Sequence, residues 1–159
     1  VQLKMPTGKY QHADPDKLGT DLMGATSGGG SWDPGFGFNL TKKLKPFVFH
    51  ADTIYSFPQK VMVDSIKTIY GRYLNYDVGV EYFFSKSFNV MLEVNGFLQG
   101  DKWQDGDKQP STDIRYLTIV PGAGWSCEKF QTLVVYQRAV IGTNTDANDS
   151  VVLTLVYTF

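Results

Sequence analysis

Between Leu74 and Leu98 the chain spells out a hairpin in the alternation of its side chains. Leu74, Tyr76, Val78, Val80, Tyr82 and Phe84 alternate with Asn75, Asp77, Gly79, Glu81 and Phe83. After only Ser85-Lys86-Ser87, Phe88, Val90, Leu92, Val94 and Leu98 alternate with Asn89, Met91, Glu93, Asn95 and Gln99. A period of two marks extended strand, with successive side chains on opposite faces. One face is apolar or aromatic throughout, and the other carries carboxylates in mid-strand.

The same reading, continued along the chain, gives eight strands. They span about residues 1–6, 32–41, 47–57, 71–84, 88–99, 113–126, 130–142 and 151–159, each inferred from alternation and turn signals. The second sets Phe36, Phe38 and Leu40 against Asp33, Gly35, Gly37 and Asn39. The third sets Phe47, Phe49, Ala51, Thr53, Tyr55 and Phe57 against Val48, His50, Asp52, Ile54 and Ser56. Pro121 within the sixth predicts a strand end or a bulge. The first is cut off by Pro6-Thr7-Gly8, too early for a strand of about 9–11 residues that crosses a bilayer. It reads as the tail of a longer strand, and the chain as a small barrel or the C-terminal part of a larger one.

The links sort by length. Long stretches at 9–31, 58–70, 100–112 and 143–149 alternate with short ones at 42–46, 85–87 and 127–129. Outer-membrane barrels have short periplasmic turns and long extracellular loops, whereas a soluble meander has no reason to sort its links. The closing stretch, Val151 to Phe159, puts Val151, Leu153, Leu155, Tyr157 and Phe159 on one face. It looks like the last strand of such a barrel, with Leu155, Tyr157 and Phe159 as the signal read by the assembly machinery. The expected fold is therefore all-β, an antiparallel up-and-down transmembrane β-barrel, in one domain over residues 1–159, with its C-terminus periplasmic. A soluble lipocalin-like ligand carrier has the same strand pattern turned inside out.

Bulk properties exclude other classes. A net charge of −1 removes the basic excess that nucleic-acid binding needs. No apolar run of about 18 residues is present, so no transmembrane helix is expected. A mean hydropathy of −0.21 is compatible with a barrel, in which wet and lipid-facing residues cancel. The single Cys127 cannot form an internal disulfide and reads as a passive turn residue.

Several pieces resemble one family, the outer-membrane barrels named after the meta-pathway of phenol degradation. They are Met5-Pro6-Thr7-Gly8-Lys9-Tyr10, Gly29-Gly30-Ser31-Trp32-Asp33, Tyr76-Asp77-Val78-Gly79-Val80-Glu81-Tyr82, Leu92-Glu93-Val94-Asn95-Gly96, the run Leu117 to Gly124, and the final aromatic strand. Their order runs through almost the whole chain. The resemblance implies a transporter-like barrel with further strands before the first, no enzymatic activity, and passage of small solutes, hydrophobic or aromatic ones included. Leu133 departs from the pattern, standing where an acidic lumen residue is common.

The candidate lumen lining is Asp33, Asn39, His50, Asp52, Asn75, Asp77, Glu81, Glu93, Asn95 and Arg115. Such residues bias a pore by charge, or fill a narrow barrel as a hydrogen-bonded plug. In the second case the protein would be a structural or adhesion barrel presenting its long loops. Asp77, Glu81 and Glu93 repel one another unless Arg115, Lys4 or a cation lies between them. The aromatics Tyr55, Phe57, Tyr73, Tyr82, Phe84, Phe88, Tyr157 and Phe159 fall near strand ends, where interface girdles sit. Arg138, on an apolar strand, is placed to reach headgroups. His50-Ala51-Asp52-Thr53 invites a hydrolase reading, but Thr53 falls on the face opposite His50 and Asp52 and no Ser-containing motif accompanies them, so no enzymatic activity is expected. Gly28-Gly29-Gly30 lacks the helix of a phosphate loop. Asp101, Asp105 and Asp107 lack the bidentate Glu of a calcium loop. No cofactor or metal is expected. The expected partners are outer-membrane lipid and lipopolysaccharide, the assembly machinery, and a small solute.

Overall fold

The computed structural model describes residues 2–4, 31–63, 65–145 and 149–158. The loop over 9–30 and Phe159 lie outside these residues. Eight strands form one antiparallel sheet: β1 (Gln2–Lys4), β2 (Asp33–Leu44), β3 (Phe47–Ser56), β6 (Tyr73–Phe83), β7 (Phe88–Gln99), β10 (Ile114–Ser126), β11 (Phe130–Thr143) and β12 (Asp149–Tyr157). Each pairs with its sequence neighbour in that order, an up-and-down meander. Among the described residues no helix is long and apolar enough to cross a membrane, which says nothing of strands.

The register fixes which residues share a face. Phe36, Tyr55, Leu74 and Leu98 form one cross-strand row, and Leu40, Ala51, Val78, Val94 and Ile119 another. Rows of the opposite face run Asn39, Asp52, Asp77, Asn95, Thr118 and Thr41, His50, Gly79, Glu93, Val120. The two faces differ in solvent access, and in the direction opposite to that of a water-soluble core. Phe38 is 62% exposed, Leu92 47% and Leu153 58%, while the side chains of Asp77 and Glu93 are only 26% and 21% exposed. Val120 and Val135, the buried hydrophobics among the described residues, belong to the polar face through their partners Glu93 and Gly122.

Link sorting holds, with three differences. β2 runs on through Lys42, Lys43 and Leu44, so its turn to β3 is only Lys45-Pro46; Lys42 and Lys43 are ladder residues opposite Phe49 and Val48. The long links at 58–70 and 100–112 are not featureless. They hold β4 (Val61–Val63), β5 (Ile66–Ile69), β8 (Trp103–Gln104) and β9 (Asp107–Lys108), paired in the order β4-β5-β8-β9 as a second small sheet at the long-link end. Finally, β10 passes through Pro121 without ending. The pairing to β11 skips Val120 and Pro121, as suits a residue with no N–H to donate, and the register shift lies earlier, between Leu117 and Thr118.

Candidate functional site: the polar face

The polar face centres on β3, β6 and β7. His50, Gly79 and Glu93 are consecutive partners across these three strands. Neighbouring strands lie about 4.8 Å apart, so His50 and Glu93 start about two strand spacings from each other. Gly79 closes that gap. A Cβ built on it would lie 2.0 Å from His50 Nε2, which means that the imidazole lies flat across the glycine. Its Nε2 thereby reaches 3.5 Å from Glu93 Oε2 and 3.8 Å from Asp77 Oδ1.

Most of the other expected lining residues gather on the same face. Asp52 is the direct cross-strand partner of Asp77 and accepts a 2.5 Å hydrogen bond from Asn39 Nδ2. Glu81 accepts one from Asn89 Nδ2 at 3.2 Å. Asn95 pairs with Asp77 across β6 and β7, and its buried Oδ1 has no hydrogen-bond partner among the described residues. Asn75 stands between Ile54 and Phe97. Asp33, buried, accepts a 2.6 Å hydrogen bond from Ser31 Oγ, and Tyr73 Oη approaches its other oxygen at 3.5 Å. Leu133 joins this face opposite Gly124 and Thr154.

Arg115 does not join them. Its partners are Leu98 and Thr143, on the apolar face at the long-link end, and its Nε donates to Asp113 Oδ2 at 2.9 Å. The long side chain finds its carboxylate and water beyond the end of the strand. Arg115 therefore does not lie between the carboxylates; the imidazole of His50 does. Arg138 also sits on the apolar face, opposite Ile119 and Asp149.

Sequence reading missed an aromatic row. Tyr73, Phe97 and Tyr116 share the polar face near the long-link end, with ring centroids 5.6 and 5.3 Å apart in sequence of contact. Phase was the available signal, since Phe97 alternates with Leu98 and falls in step with Glu93 and Asn95. The strand-end aromatics of the apolar face cluster at both ends instead. Phe47, Tyr82 and Phe84 are in contact at the short-turn end at 5.0 and 4.7 Å, where Phe130 also meets Tyr157 at 4.8 Å. Phe88 stands at that end, opposite Trp125. Tyr55 and Phe57 meet at 4.8 Å toward the long-link end.

At that end Asp101 ties the link together. Its Oδ2 accepts from Lys108 Nζ at 2.9 Å, and its Oδ1 accepts from the backbone N–H groups of Thr112 and Asp113, both at 3.0 Å. The Lys108 hydrogen bond, with these N–H donors, holds the carboxyl below its ordinary value of 3.8.

No family model matches the chain, and neither does any curated protein. Among solved structures it is similar to an outer membrane channel from Pseudomonas putida F1, with a TM-score of 0.73 at 15% identity. The similarity covers 98% of this chain and 56% of the channel's, so the chain spans little more than half of that protein. At this identity the likeness is one of fold.

Proposed function

We propose that the chain forms the wall of an outer-membrane β-barrel channel, through which small solutes pass passively. The observation that carries this reading is the inverted exposure of the sheet. The aromatic and aliphatic face is the exposed one, and the carboxylate face is the sheltered one. A lipocalin-like carrier requires the reverse, and water does not tolerate an apolar surface of this extent on a monomer. Lipid does. Sorted links, terminal aromatic clusters and the fold shared with an outer membrane channel support the same conclusion.

Within this reading the long links face outward and the short turns face the periplasm, which brings Tyr157 to the periplasmic side. Leu155, Tyr157 and Phe159 serve as the assembly signal, and lipid and lipopolysaccharide contact the apolar face. The aromatic row of Tyr73, Phe97 and Tyr116 beside the carboxylates gives a passing solute an apolar as well as a polar surface. It supports small hydrophobic or aromatic solutes, in keeping with the phenol meta-pathway family that the motifs resemble. The protein is not an enzyme in this reading.

Single-channel recording of the full-length protein in planar bilayers tests it. Stepwise openings are expected, and Glu93→Lys should shift ion preference away from cations. Folded, inserted protein that never conducts would favour a plugged barrel. Protein that stays soluble and folded in plain buffer would overturn the membrane reading altogether.

A further inference from the structure

We propose that His50, Asp77 and Glu93 bind a divalent transition-metal cation of the zinc class. These three residues offer one imidazole nitrogen and two carboxylate oxygens, all within 4.8 Å of one another. Zinc sits about 2.0–2.2 Å from such ligands, and tetrahedral ligands around it stand about 3.4 Å apart. His50 Nε2 already lies 3.5 and 3.8 Å from the two oxygens. On these two edges side-chain adjustments of a few tenths of an ångström suffice, and three ligands leave the fourth corner to water. An imidazole with carboxylates suits zinc and its neighbours better than calcium or magnesium, which take oxygen ligands alone.

Two further features point to a cation. The first is charge. Asp52 and Asp77 are opposed directly across strands, an arrangement that is destabilising when both are ionised. Among the described residues neither Asp77 nor Glu93 has a Lys or Arg within ion-pair distance. A divalent ion neutralises the pair and leaves the imidazole in its neutral, ligating form. The second is shape. The imidazole reaches Glu93 only because Gly79 has no side chain, so three adjacent strands of one sheet converge on a point that no two of them could supply.

The site belongs to a single sheet and does not depend on whether the barrel conducts, so its test is kept apart from conductance. Untagged full-length protein, folded in detergent micelles and stripped with a chelator, is titrated with Co2+ as a spectroscopic probe and then with Zn2+ in competition. One tightly held Co2+ with intense visible absorption, displaced by Zn2+, is expected. His50→Gln and Glu93→Gln should each weaken binding more than about 100-fold. Gly79→Ala, which keeps every ligand but displaces the ring, should weaken it about 10- to 100-fold, the range for supports of a metal shell. Asp101→Asn, on the far loop, should leave it unchanged. Each variant is checked for folding by circular dichroism. Folded wild type without the absorption, or a spectrum that survives His50→Gln, overturns the assignment.

Discussion

Replacing Leu92 by arginine puts a guanidinium at the middle of the apolar face, and the structure gives the cost. Leu92 lies in β7, four residues beyond Phe88, which stands at the short-turn end. At about 3.4 Å per residue it is about 14 Å along the strand, or about 10 Å in depth for a tilt of about 40°. With Phe88 at the interface, that is within about 3 Å of the midplane of an apolar band about 25 Å tall. A charged side chain at that depth costs about 2–4 kcal/mol relative to a small apolar one, which lowers the folded-to-unfolded ratio about 30- to 900-fold. The proper reference is Leu92→Ala, which removes the leucine without adding charge. The assay is reversible guanidinium unfolding of both variants from lipid vesicles, followed by tryptophan fluorescence. Arginine is expected to fall below alanine by that margin. If the arginine variant equals or exceeds the alanine variant, water reaches Leu92 and the assignment of faces is reversed.

Three other outcomes follow from particular contacts. Gly37→Ala would bring a Cβ within 2.0 Å of the Thr53 carbonyl oxygen and 2.9 Å of Ile54 Cγ1; separating β2 from β3 should cost about 1–3 kcal/mol, read as a lower unfolding midpoint with unchanged slope. The Asp101 carboxyl is depressed in the folded state, so its contribution is complete above the ordinary value of 3.8 and is lost as pH falls through the lower, folded value. Limited proteolysis of the 100–112 link should therefore accelerate only in strong acid, and Asp101→Asn should accelerate it already at neutral pH. Tyr116→Ala, which unstacks Phe97 on one side, should slow the uptake of aromatic solutes into proteoliposomes more than that of sugars of similar size.

Alternation revealed the faces because side-chain direction along a strand has a period of two, and that needs no partner. It placed His50, Asp77 and Glu93 on one side without showing that they meet. Their meeting depends on register, which brings Gly79 between His50 and Glu93, and register is set by turns and neighbouring strands. Arg115 was assigned by its charge, and the ladder to Leu98 overrides that near a strand end, where charge costs little. Lys42 and Lys43 looked like a turn because a paired lysine is rarely read as strand. The strands of the small sheet are too short to carry any period, so composition alone spoke for them, and it spoke for loop. Pro121 was expected to end the strand or carry a bulge and does neither; it leaves a gap in the β11 ladder, while the register shift lies between Leu117 and Thr118.

The far edge of β12 sharpens the membrane reading into something measurable. Its nine residues pair with β11 along one side, and β1, at the other margin of the sheet, has three. Every second N–H of β12 points away from β11. Water would satisfy those groups in a soluble sheet, but hydrocarbon cannot, and an unsatisfied amide there costs several kcal/mol. A lipid-embedded β12 must therefore be paired on both sides, whichever strand supplies the second partner. Hydrogen exchange in bilayers tests this residue by residue: the outward amides from Val151 to Leu155 should exchange as slowly as those directed at β11. Fast exchange confined to the outward set would mean that this edge meets water, and the strand would then lie outside the bilayer.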